Sequence, residues 1–133
     1  MFLSELSSPQ QGAFFELAVS LAAADGRLED SERDALAQLA RSAGQPLPDE
    51  PFAAVTPAEV LAVFTEPQVR NAVLLELLGL AYADTTFCDV ERAFIDEIAT
   101  AFGISCARLG VMEGWVVRQL ALAAEGQRLL EDC

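Results

Sequence analysis

Histidine is absent from the 133 residues, and there is one tryptophan, one tyrosine and three cysteines. Without histidine, Ser-His-Asp and Cys-His nucleophile systems are excluded, and the commonest zinc sites lose their main nitrogen ligand. Cys88, Cys106 and Cys133 are odd in number and irregular in spacing. That pattern reads as reduced thiols in a cytosolic protein, not as a disulfide framework. Positive charge is scarce, with 8 Lys+Arg against 21 Asp+Glu and a net charge of −13. Such a surface repels phosphate backbones and anionic lipid, so no nucleic-acid partner is expected. Long apolar runs are missing too. The longest, Ala72 to Ala83, is interrupted by Glu76 and falls short of the ~20 apolar residues a bilayer requires. The opening "MFLSELSSPQ" has no basic stretch ahead of an apolar one, so no signal peptide is expected and the localisation reads as cytoplasmic.

What is present is apolar and helix-forming. The chain is 53% hydrophobic, with a length suited to one domain, taken here as residues 1–133. No run of four to eight residues alternates apolar with polar, which leaves an all-α fold, a compact bundle of six to seven helices. Start signals stand at "SSPQQ", where Ser8 is the expected cap and Gln11 its partner, at "TPAE" (Thr56, Pro57, Glu59), and at "TEPQ" (Thr65, Pro67, Gln68). Helices are expected over about 9–25, 30–43, 57–64, 66–83 and 89–102. A last stretch follows Ser105 and is breakable at Gly110 and Gly114. Gly26, Gly44 and Gly103 sit where helices would end. The proline-rich "GQPLPDEPF", Gly44 to Phe52, reads as a surface connector between two halves.

The halves resemble each other. "LAAADGRLEDSERDALAQLA" (Leu21 to Ala40) aligns without a gap on "LAYADTTFCDVERAFIDEIA" (Leu80 to Ala99). Apolar matches alone could reflect shared helical periodicity. Asp25 with Asp84, Asp30 with Asp89, Glu32 with Glu91 and Arg33 with Arg92 make coincidence less plausible. The expectation is an internal pseudo-two-fold repeat of helix-turn-helix units, about 9–44 and 66–103. Gly26 in the first copy is replaced by Thr85 in the second.

Asp25, Gly26, Leu28 and Glu32 also fall at the offsets of the second half of an EF-hand loop. The first and third ligand positions would then be Leu21 and Ala23, or Leu80 and Tyr82 in the second copy. None offers a carboxylate or amide oxygen, so an EF-hand is excluded. Two readings of the acids remain. In one, Asp30, Glu32, Asp89 and Glu91 serve the helix starts, where the dipole and free N–H groups favour negative charge, and Arg33 and Arg92 pair with nearby acids. In the other, Asp25, Glu32, Asp84 and Glu91 converge across the two-fold, where a hard cation would relieve their mutual repulsion.

At "AAADGRLEDSERDAL" and "AYADTTFCDVERAFIDEIATAFGIS" the sequence resembles the TerB-like family, which includes the tellurite-resistance protein TerB and co-chaperone N-terminal domains. The matching residues are Ala24, Asp25, Gly26, Leu28 and Glu32, then Ala83, Asp84, Phe87 and Glu91, then Gly103, Ile104 and Ser105. The resemblance spans about Phe14 to Leu120. It implies a compact helical domain linked to bacterial tellurite and general stress resistance. Its paired acids, carried over as Asp25, Glu32, Asp84 and Glu91, imply a divalent-cation site for calcium or a similar ion.

Other residues invite weaker readings. Cys88 at a helix start could be a redox thiol, but Asp84, Asp89 and Glu91 would raise its pKa, which favours a small packing residue. Trp115 reads as core or as an interface anchor. The last helix carries more apolar residues than one buried stripe needs, among them Val111, Val117 and Leu122. A dimer or partner contact explains that excess, and so does burial on most sides. No nucleophile or phosphate-binding glycine loop accompanies the acids, so a non-catalytic protein is expected. Two classes stand: a TerB-like stress-response domain binding a divalent cation through its paired acidic turns, or a metal-free helical adaptor. The adaptor would bind a protein partner through its acidic face or C-terminal helix.

Overall fold

A computed structural model describes residues 2–22, 30–46, 62–83 and 89–131, with the side chains of Ser31, Glu32 and Ala83 outside that description. Among the described residues every regular element is helical. A short 3-10 turn, Leu3–Glu5, precedes α1 (Ser8–Ala22), α2 (Asp30–Ser42), α3 (Pro67–Ala83), α4 (Asp89–Ala101) and α5 (Cys106–Glu131). The described residues hold five complete α-helices, with residues 62–63 also helical, against six or seven expected for the whole chain. The helix expected over 57–64, with its Thr56 cap, lies largely outside the described residues. The break expected at Gly110 and Gly114 does not occur, because α5 runs unbroken for 26 residues. Each interior glycine costs a helix only about 1 kcal/mol, which the packing of Leu109, Met112 and Val116 offsets.

The cap of α1 is Ser7, one residue earlier than expected. The Ser7 N–H donates to Gln10 Oε1 at 2.9 Å and the Gln10 N–H donates to Ser7 Oγ at 3.4 Å, a reciprocal pair that satisfies two free donors. Gln11 is thereby released, and its Nε2 donates to the Leu3 carbonyl at 2.9 Å. Pro67 opens α3, where a missing N–H costs nothing. Ser105 caps α5 as expected, its Oγ accepting from the Arg108 N–H at 3.2 Å.

Helices α1 and α3 are apolar around most of their circumference because both are central. α1 packs on α2, α3 and α4, while α3 packs on α1, α4, α5 and the 3-10 turn. Phe14, Phe15, Leu74, Leu77 and Leu78 are fully buried, each contributing about 1.5–3 kcal/mol. α2 and α4 lie outside this pair and each buries a single stripe: Leu36 and Ala40 on one, Ile95, Ile98 and Ala99 on the other. The Phe64 ring meets Phe102 edge-on at 6.0 Å. Arg70 fixes that corner, its Nε donating to the Phe64 carbonyl at 2.6 Å while its guanidinium lies over the Phe102 ring.

Elements 59 positions apart are built alike. Asp30 and Asp89 begin helices of 13 residues each, and Ser8 and Pro67 begin their predecessors. Gly44 and Gly103 follow α2 and α4 with φ of 70° and 75°. The Gln45 N–H donates to the Ala40 carbonyl at 2.9 Å, and the Ile104 N–H donates to that of Ala99 at 2.9 Å. Both are Schellman-type closures, in which a left-handed glycine lets the chain reach back to the last turn.

α5 is longer than its support. At ~1.5 Å per residue it extends ~39 Å against ~26 Å for α3. Its end therefore overhangs the bundle, and every residue from 121 to 131 is exposed. Among the described residues no helix is long and apolar enough to cross a membrane.

Candidate functional site

Of the four acids expected to gather at the corners, Asp25 and Asp84 lie outside the described residues, as do Gly26, Leu28, Thr85, Phe87 and Cys88. Glu32 is in the first turn of α2, with its side chain undescribed. Glu91 is fully described. It stands in the first turn of α4 and is 6% exposed, so it points inward while Asp89 and Val90 beside it face solvent. A buried carboxylate is tolerable only when paired or hydrogen-bonded. Glu91 is engaged by a neighbour, and among the described residues no buried side-chain nitrogen or oxygen lacks a partner. The described residues contain no group of three or more acids and cysteines that would hold a metal ion. Cys106 is an exposed free thiol at the start of α5.

Next to Glu91, Arg92 joins three helices. One guanidinium nitrogen lies 2.8 Å from Glu113 Oε1 in α5. The other lies 3.1 Å from the Tyr82 hydroxyl in α3 and 3.4 Å from Glu113 Oε2. The hydrogen bond to Glu113 holds the Arg92 pKa above its ordinary value against a smaller opposing effect of burial. The pair is partly open, with Arg92 at 43% side-chain exposure and Glu113 at 17%. It therefore contributes about 1 kcal/mol, near the top of the range for exposed pairs. Pairing of Arg92 was legible in the sequence. Its partner was not, because Glu113 is 21 residues away and on another helix.

A second buried acid was missed. Glu76 appears in the sequence as an interruption of an apolar helix, yet it is 6% exposed in the centre of α3. It accepts a hydrogen bond from the Phe2 N–H. That bond anchors the segment before α1. The Phe2 ring meets Trp115 at 5.8 Å, and Leu3 and Leu6 are buried. Trp115 is thus half-buried, with part of its surface against the opening segment. The only available signal was the position of one carboxylate amid ten apolar neighbours.

Residues 49–112 match the family model for tellurite resistance protein TerB. The match takes in α3, α4, the start of α5 and the sequence from Asp84 to Glu91, and it closes beyond Gly103, Ile104 and Ser105. No curated protein and no solved structure gives a significant match.

Proposed function

We propose, for a chain whose residues 49–112 match the family model for tellurite resistance protein TerB, a non-catalytic role in bacterial stress resistance of the tellurite type. In this role a divalent cation is held between two acidic corners related by an internal two-fold, in a cytoplasmic protein. The observation that carries this reading is Glu91, a carboxylate turned inward at the start of α4, in a helix that begins and ends like α2. The like closures at Gly44 and Gly103 support a duplication, and the packing of α1 on α4 supports proximity of the two units.

The donor chemistry fits a hard ion. Asp25, Glu32, Asp84 and Glu91 offer only oxygen, up to eight atoms, in a chain without histidine. Calcium takes six to eight oxygens. A bound cation would supply charge neutralisation at the corners, and the four acids would supply the geometry that ties the two units together.

Melting with and without calcium tests this reading. At a hundredfold excess over Kd the ion stabilises the fold by about 2.7 kcal/mol, about 10 °C for a chain of this length. Replacing Asp25 and Asp84 together by Asn should abolish the shift. A shift that survives in the double variant overturns the site. The alternative reading is a metal-free adaptor, favoured by the apolar side chains exposed along α5. Its signature is a wild-type melting temperature indifferent to calcium.

A further inference from the structure

The overhang of α5 carries a stripe that its own bundle does not cover. Trp115, Leu122 and Leu129 recur every seven residues, and Val111 falls on the same side three turns before Leu122. Val111, Leu122 and Leu129 are 71%, 63% and 73% exposed, and Trp115 is half-buried. One apolar residue per heptad, with Arg118, Gln119, Glu125 and Gly126 between, makes a narrow exposed stripe rimmed by polar side chains, the kind of surface that a partner covers.

We infer that the occupant is a second copy of this chain, with the two α5 helices antiparallel and Leu122 at the two-fold axis. This goes beyond the cation reading and is independent of it.

Charge selects the partner. At −13 per chain, two copies repel one another over most of their surfaces. The stretch from Gly114 to Glu131 is balanced, Arg118 and Arg128 offsetting Glu125 and Glu131. Charge also selects the direction. With Leu122 on the axis, Trp115 lies against Leu129 of the other copy. Arg118 and Glu125, on one flank of the stripe, then come alongside each other twice. The other flank, Gln119 and Gly126 with Ala123 and Leu130 further round, meets its own equivalent and carries no charge. A parallel pair would instead set Arg118 and Glu125 against the uncharged Gln119 and Gly126. Flanking charges fix helix orientation in this way.

With Leu122 on the axis the overlap runs from Glu113, whose charge Arg92 already meets, to Glu131, ~28 Å. A contact of this extent lies at the small end of specific interfaces, so a dissociation constant on the order of 10 µM is expected.

Sedimentation equilibrium of the full chain from 1 µM to 1 mM (a range set by that constant) reads the result. The wild type should pass from monomer to dimer. Leu122→Glu, which sets two carboxylates on the axis, should weaken the dimer at least ~30-fold. Arg118→Glu should weaken it roughly three- to tenfold, and adding Glu125→Arg should restore it to within about twofold. All of these sites are exposed, so circular dichroism should show an unchanged fold. A chain that stays monomeric at 1 mM overturns the inference and leaves the stripe to a different protein or to none. A dimer indifferent to Leu122→Glu, or a charge exchange that fails to restore binding, overturns it equally.

Discussion

Substitution of Gly44 and Gly103 by alanine isolates one physical term. Both residues have positive φ, 70° and 75°, and an added Cβ at either meets nothing within 4 Å. Contact energy is therefore zero in both cases, and the penalty is backbone alone, about 1–2 kcal/mol for an L-residue in the left-handed region. Part of it is returned by the lower entropy of the unfolded alanine chain, leaving about 1 kcal/mol. For 133 residues the unfolding entropy near 60 °C is about 280 cal/mol/K, so each variant should melt about 4 °C lower. Because the two closures share the same hydrogen bonds, the two penalties should agree within about 0.5 kcal/mol. Gly79 provides the contrast. It lies inside α3 without positive φ, and its Cβ would also meet nothing within 4 Å. Gly79→Ala should therefore raise the melting temperature by roughly 2–4 °C. Calorimetry of the three variants reads all three signs. A neutral Gly44→Ala beside a costly Gly103→Ala would refute the equivalence of the closures, and a stabilising pair would refute the backbone argument itself.

Removal of the buried acceptor in α3 by Glu76→Ala should cost about 1–3 kcal/mol and speed hydrogen exchange at Leu3 and Leu6 selectively, while Glu76→Gln, which keeps an acceptor for the Phe2 N–H, should cost less. Leu77→Ala, at a side chain with no exposed surface, should cost about 2–5 kcal/mol in denaturant titration. Arg92→Ala should cost about 1 kcal/mol by loss of Glu113 and Tyr82. The folded-state pKa of Arg92 is raised, so its contribution is fully present below the unfolded arginine range and is lost only as pH rises through the folded value. Melting curves between pH 6 and 9 should accordingly give one constant Arg92→Ala penalty.

The helices were legible because their signals are local. Asp30, Pro67 and Asp89 start helices where charge and proline indicate, and Gly44 and Gly103 end them. Phe14, Leu17, Leu36, Ile95 and Ile98 recur at helical spacing and all five are buried, while Leu39 and Phe94, at the same spacing, are only partly so. The cap of α1 was displaced by one residue because adjacent serines and adjacent glutamines offer two equivalent boxes, and tertiary contacts separate them: Gln11 donates to the Leu3 carbonyl, and Gln45 donates to Ser8 Oγ and Gln11 Oε1. The continuity of α5 was hidden because its glycines announce a local cost that packing elsewhere outweighs. Glu76 and Glu113 were invisible as partners, since the groups they meet are 74 and 21 residues away. Of the candidate site, the sequence indicated the acids, and Glu91 is the one whose inward orientation is described.

Calorimetric titration with calcium tests most directly whether the two corners act as one site. Asp25, Glu32, Asp84 and Glu91 gathered around a single ion predict one calcium per chain, with affinity reduced at least tenfold by Glu91→Gln, as expected when a carboxylate ligand is neutralised. Two equal and independent ions per chain, or no heat of binding at millimolar calcium, would contradict it.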